Sequence, residues 1–107
     1  QIRVVSDQWV TPTCTDDLAN QVFTLMETGS TGTFHAAGAE RLSRLAMAQR
    51  IATHFGLDSS LIESAKMTDL TWLAKRPRDS SLDSSKISHL CRPLGFDAAL
   101  DTLQVTA

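Results

Sequence analysis

The order of three local patterns at the start of the chain limits its fold more than any other feature. Ile2 to Ser6 alternates apolar and polar residues as a strand does, and Asp7-Gln8 followed by Pro12 stops it, because proline donates no ladder hydrogen bond. Thr15 is then placed to cap a helix over about 16–28, with Asp16 and Asp17 in the first turn, where a helix dipole favours anions. Leu18, Val22, Leu25 and Met26 form one apolar stripe on that helix, which Gly29 closes. After the Gly29–Gly32 turn, Thr33 to Ala37 reads as a second short strand ended by Gly38. A helix between two strands of similar character predicts a parallel pair in an α/β sheet, joined by a right-handed crossover.

Further along, Ser43 is a cap for a helix on which Leu45, Ala48, Ile51, Ala52 and Phe55 recur at helical spacing before Gly56. Ser60 to Lys66 is a candidate short strand. Arg76 has to be extended because Pro77 follows it. Asp83 is placed to cap a short helix through Leu90, and Asp97 to Leu103 reads as a last helical turn or two. With 107 residues and 42% hydrophobic content, the chain suffices for one compact core and is too short for two ordinary domains, so residues 1–107 read as one unit. It opens inside a strand pattern without an initiator Met, which predicts a cut made within a larger fold.

A net charge of -2 supplies no field to gather a phosphate backbone, which argues against nucleic acid as a partner. No apolar run approaches the roughly 18 residues of a membrane span, and no charged-then-apolar signal pattern starts at Gln1, so the expected location is the cytoplasm. Cys14 and Cys91 lie far apart with no CxxC partner and read as free thiols.

The five glycines, at 29, 32, 38, 56 and 95, never form GxGxxG or a P-loop, so no dinucleotide fingerprint is present. His35, His54 and His89 lack metal-ligand spacing and read as structural. No serine occupies a GxSxG elbow. Asp16/Asp17 and Asp79/Asp83 sit where caps and first-turn anions are expected, which accounts for them without acid–base chemistry.

Two segments point to a ligand. Asp7 to Thr13 places polar groups and an aromatic ring just past a strand end, where open α/β sheets bind ligands; for Trp9 the other reading is core packing. Lys75-Arg76-Pro77-Arg78-Asp79 sets three cations beside a rigid proline, suited to fork onto a diphosphate or, alternatively, to face solvent as a loop.

In order, DQWVTPTCTDDLA (7–19), GTFHAAG (32–38), SRLAMAQRIA (43–52) and KRPRDSSLDSSKI (75–87) resemble the carboxyl-terminal part of the dTDP-4-dehydrorhamnose reductases, which are extended short-chain dehydrogenase/reductases. The resemblance covers nearly the whole chain. It implies a fragment of a Rossmann-type α/β enzyme, with short parallel strands, helices and an irregular carboxyl-terminal substrate lobe. It further implies reduction of the 4-keto group of dTDP-4-dehydro-L-rhamnose, with NADPH held by an amino-terminal Rossmann domain absent from this chain. A Tyr in a YxxxK motif supplies the proton in that family, and this chain has no tyrosine, so no catalytic or cofactor-binding residue is expected here.

Carried over by position, the resemblance implies substrate contacts from Gln8, Trp9, Thr11, Pro12 and Thr13, and a diphosphate contact from Arg76. Val10 departs from the pattern, standing where many members have glycine. The expected partners are a nucleotide-sugar and the chain's own amino-terminal domain, and a homodimer is compatible with the family. Two other readings are open: a non-catalytic relative resembling the regulatory beta subunit of methionine adenosyltransferase, and an autonomous small binding domain.

Overall fold

The computed structural model describes residues 1–103. These residues gather into two compact units, each built from two stretches of chain, where the sequence alone reads as one. The first contains Gln1–Val10 and Arg41–Ser81; the second contains Thr11–Glu40 and the chain from Leu82 onward. The architecture is α/β with short parallel strands and helices, as expected.

In the first unit, β1 (Ile2–Val5) pairs in parallel with β4 (Ile62–Ala65), in the register Ile2 to Ile62 through Val5 to Ala65. The buried ends of the two strands, Val5 and Ala65, lie opposite one another. Two residues of β2 (Trp9–Val10) pair antiparallel with β3 (Leu42–Ser43). Ser43 then caps α2 (Arg44–His54), its hydroxyl accepting the Ala46 N–H at 3.1 Å. Gly56 follows that helix at φ +66°, a conformation glycine adopts without penalty.

The second unit holds α1 (Thr15–Glu27) and the short α3 (Phe96–Asp101). Thr15 is the first helical residue and not the cap. Cys14 occupies the cap position with an extended backbone, its carbonyl accepting the Leu18 N–H at 2.9 Å.

The larger departure is in which face of α1 is buried. Asp17 and Gln21 are the buried residues, while Leu18, Val22, Phe23 and Met26 are 36, 45, 58 and 75% exposed. Hydrogen bonding accounts for the inward polar face. The Gln21 amide nitrogen donates to the Asp17 carboxylate at 2.9 Å and to the Ala37 carbonyl at 3.0 Å, and Asp17 also accepts the Leu94 N–H at 3.1 Å. A buried carboxylate is tolerated when donors of this kind surround it.

Residues 33–37 form no strand, contrary to the periodicity, so the parallel partner of β1 is β4. Side chains take the backbone groups a ladder would have used. Lys86 Nζ donates to the Thr33 carbonyl at 2.7 Å, Gln21 to Ala37, and the Gly38 N–H donates to the Thr13 hydroxyl at 3.1 Å. Downstream, Asp83 caps a turn at the Ser85 N–H (2.9 Å), and only Ile87–His89 is helical, as a single 3-10 turn, in place of a helix from Asp83 to Leu90. No helix among the described residues is long and apolar enough to cross a membrane.

Candidate functional site

The segment expected to line a cleft is divided between the units: Gln8 and Trp9 belong to the first, and Thr11, Pro12 and Thr13 to the second. Gln8 is buried and its carbonyl accepts the Arg44 N–H at 3.0 Å, tying the residue to the start of α2. Trp9 is bonded along its backbone to the basic segment. Its N–H donates to the Arg78 carbonyl at 2.6 Å, and its carbonyl accepts the Ser80 N–H at 3.0 Å, making an isolated parallel bridge between Trp9 and Asp79.

The Trp9 ring is not bare. The Arg41 guanidinium lies 4.2 Å from its centroid and also reaches the Asp79 carboxylate through Nε at 3.1 Å and Nη2 at 2.8 Å. Asp79 accepts the hydroxyl (2.6 Å) and N–H (3.0 Å) of Ser81 as well. The Arg41 contact first, then the Ser81 bonds, hold the Asp79 carboxyl well below the usual carboxylate range. This cluster clamps the backbone of residues 78–81 to β2. Arg41 stands in no motif, and only the β2–β3 pairing brings it to Trp9.

Arg76 and Trp9 are therefore joined through backbone and not through side chains. Arg76 is exposed, and its guanidinium lies 5.8 Å from the centroid of a different ring, Trp72. The indole Nε1–H of Trp72 donates to the Met67 carbonyl at 2.9 Å, and the Met67 N–H donates to Asp7 at 2.8 Å. Among the described residues, no carboxylate pairs with Lys75, Arg76 or Arg78. Trp72 was legible in principle, as an aromatic residue three positions ahead of a cation run.

In the second unit the two threonines already have partners. Thr11 Oγ1 accepts the Leu82 N–H at 2.8 Å and donates to the Leu82 carbonyl at 3.4 Å, while Thr13 Oγ1 donates to the Thr11 carbonyl at 3.0 Å and accepts from Gly38. A Cβ at Gly38 would collide with the Pro12 carbonyl, so glycine is required there for the backbone to pass so closely. These bonds set the shape of the Thr11–Thr13 turn and engage both hydroxyls.

Gly29 and Gly56 stand at φ +63° and +66° after the ends of helices, and Gly95 stands alone ahead of α3, without the closely spaced glycines of a phosphate loop. Among the described residues no group of three or more His, Cys, Asp or Glu is arranged to hold a metal ion. The thiol of Cys14 is lowered in pKa by the backbone N–H groups of Asp17 and Asp16 and by the Thr102 hydroxyl. Cys14 and Cys91 are both free.

Comparison with known proteins bears on the family and the fold. Residues 1–103 match the family described as the RmlD substrate binding domain. A probable low-salt glycan biosynthesis reductase, Agl14, of Haloferax volcanii is 35% identical over 86 residues, covering 80% of this chain and 29% of the relative. The crystal structure of a dTDP-4-dehydrorhamnose reductase ortholog from Clostridium acetobutylicum superposes with a TM-score of 0.83 at 28% identity, over 92% of this chain and 36% of that one. The dTDP-4-dehydrorhamnose reductase of Bacillus anthracis, solved in complex with NADP, gives a TM-score of 0.83 at 22% identity, over 94% and 36%, and so speaks to the fold alone. The chain thus spans about a third of the length of these relatives. On the match across residues 1–103, the chain belongs to the RmlD substrate binding domain family.

Proposed function

We propose that this chain is the substrate-binding part of a nucleotide-sugar 4-ketoreductase, which reduces dTDP-4-dehydro-L-rhamnose to dTDP-L-rhamnose with NADPH in rhamnose biosynthesis. In this reading the chain is inactive alone. NADPH binds, and the hydride and proton are delivered, in the remaining two-thirds of the enzyme. The observation that carries the reading is the Lys75–Arg78 stretch, whose three cations are exposed and unpaired among the described residues while its backbone is fixed to Trp9. A diphosphate needs such donors, held in place and not already neutralised. Gln8, Trp9, Thr11, Pro12 and Thr13 are each proposed to contribute substrate contacts, with Thr11 and Thr13 acting through the turn they shape.

The outward apolar face of α1 supports the same reading. Leu18, Val22, Phe23 and Met26 are a surface that the rest of such an enzyme would cover, and burying side chains of this size is worth about 1.5–3 kcal/mol each. Two unbridged cysteines suit a reducing compartment, and the cytoplasm is the proposed location.

The test uses the complete gene product. It should oxidise NADPH when dTDP-4-dehydro-L-rhamnose is added, and Arg76→Ala should raise the KM for that substrate about tenfold with kcat nearly unchanged, as expected when a charge-assisted phosphate contact is lost. A folded product without turnover overturns the reading, and co-purification with a methionine adenosyltransferase would assign the chain to a regulatory relative instead.

A further inference from the structure

Trp9 has a backbone neighbour on either side. On one side it pairs with Ser43 of β3, and on the other it bridges to Asp79, its N–H donating to the Arg78 carbonyl at 2.6 Å and its carbonyl accepting the Ser80 N–H at 3.0 Å. Among the described residues, the basic segment joins a strand through this one pair, and residues 71–80 are exposed throughout. So short a ladder on an exposed segment opens readily unless side chains hold it.

Arg41 spans both residues of that pair. Its guanidinium lies 4.2 Å from the Trp9 ring centroid, and its Nε and Nη2 reach one oxygen of Asp79 at 3.1 and 2.8 Å. The two residues that follow Arg41, Leu42 and Ser43, are buried, and Ser43 caps α2, so the guanidinium is carried on a fixed stretch of backbone. As an ion pair with side chains 48 and 45% exposed, Arg41 and Asp79 contribute little to stability. Nor does Arg41 add net attraction for an anion, because Asp79 matches its charge. What it supplies is geometry, since a planar guanidinium stacks on one residue of the bridge and forks onto the other at once.

That geometry extends to the exposed cations. Asp79 follows Arg76-Pro77-Arg78, and Pro77 has a fixed φ and holds Arg76 extended, so few free torsions separate Asp79 from Arg76. A shift at Asp79 is therefore passed on to Arg76. We infer that Arg41 is a positioning residue for substrate binding: by holding Trp9 and Asp79 together, it sets where Arg76 stands relative to Trp9. This rests on the nucleotide-sugar reading above and deepens it by naming a residue, outside both substrate-facing segments, on which substrate affinity depends. Arg41 itself touches no substrate.

The experiment is steady-state kinetics of the complete gene product with dTDP-4-dehydro-L-rhamnose and NADPH. Arg41→Met and Asp79→Asn should each raise the KM for the nucleotide-sugar about fivefold, with kcat nearly unchanged and the KM for NADPH unaltered. The double variant should be no worse than Arg41→Met alone, because both changes remove the same contact. Arg41→Lys keeps a cation but not the planar fork and should recover only part of the loss. The direction of the Asp79→Asn effect separates positioning from direct contact: an Arg41 that bound phosphate itself would be released by this change, and the KM would fall. Such a fall overturns the inference, as does a KM within about twofold of wild type in both single variants. An equal rise in the KM for NADPH would report a general loss of structure and overturn it too. Each of these outcomes leaves the nucleotide-sugar reading standing, whereas a wild-type protein without turnover overturns that reading and the inference with it.

Discussion

Arg41 makes two contacts with one guanidinium, a stack over Trp9 and a fork onto Asp79, and this pairing fixes how the basic segment sits against β2. The charge of Asp79 is what keeps Arg41 in that place. A carboxyl group whose pKa is depressed by folding contributes its stabilisation in full above its ordinary value, near 4, and loses it as pH falls toward the folded value. The Tm of the complete protein should therefore exceed that of Asp79→Asn at about pH 6, and the gap should narrow as the pH falls below about 4. With side chains 48 and 45% exposed, the gap should be small and shrink with added salt. Thermal unfolding across that range decides it, and an equal gap at both ends would mean the charge plays no part. At this scale the sequence showed the cations at Lys75, Arg76 and Arg78 plainly. It could not show Arg41, because a stack between residues 9 and 41 leaves no local trace.

Among the elements, α2 is the case in which local signals and final structure agree. Ser43 is buried, with extended φ and ψ, and its hydroxyl takes the Ala46 N–H, so the helix start is set by a residue the spacing already marked. Ser43→Ala should cost about 1 kcal/mol in denaturant unfolding of the complete protein, and Ser43→Asp should retain most of that stability. A loss within about 0.5 kcal/mol for Ser43→Ala would show that packing, and not the cap, sets the helix start. In α1 the same rules located the helix but misjudged its orientation. The stripe at Leu18, Val22, Leu25 and Met26 is a genuine helical period, yet Asp17 and Gln21 face inward because Leu94 and Ala37 supply bonding partners there. Residues 33–37 show the complementary case. A strand pattern became no strand because side chains claimed its backbone groups and, among the described residues, its unit contains no strand to pair with it.

For the molecule as a whole, the decisive quantity is that the chain spans about a third of its relatives' length. The proposed enzyme covers the open face of α1, so Phe23→Asp in the complete gene product should destabilise it by about 2–3 kcal/mol in denaturant unfolding. If Phe23 stays in water, where it is 58% exposed here, the change should remain within about 0.5 kcal/mol. By itself, the sequence determined the α/β class, the positions of β1, α1, α2 and β4, the basic loop, and the lack of a nucleotide-binding glycine loop. Caps, periodicity and proline geometry act within a turn or two of chain, so they can be read directly. Only the tertiary structure decided that β1 pairs with a strand sixty positions away, from Ile2 to Ile62, which face of α1 is buried, and which cation lies over which tryptophan. Those choices are contests for hydrogen-bond partners and burial between distant segments, and each segment alone is compatible with more than one outcome.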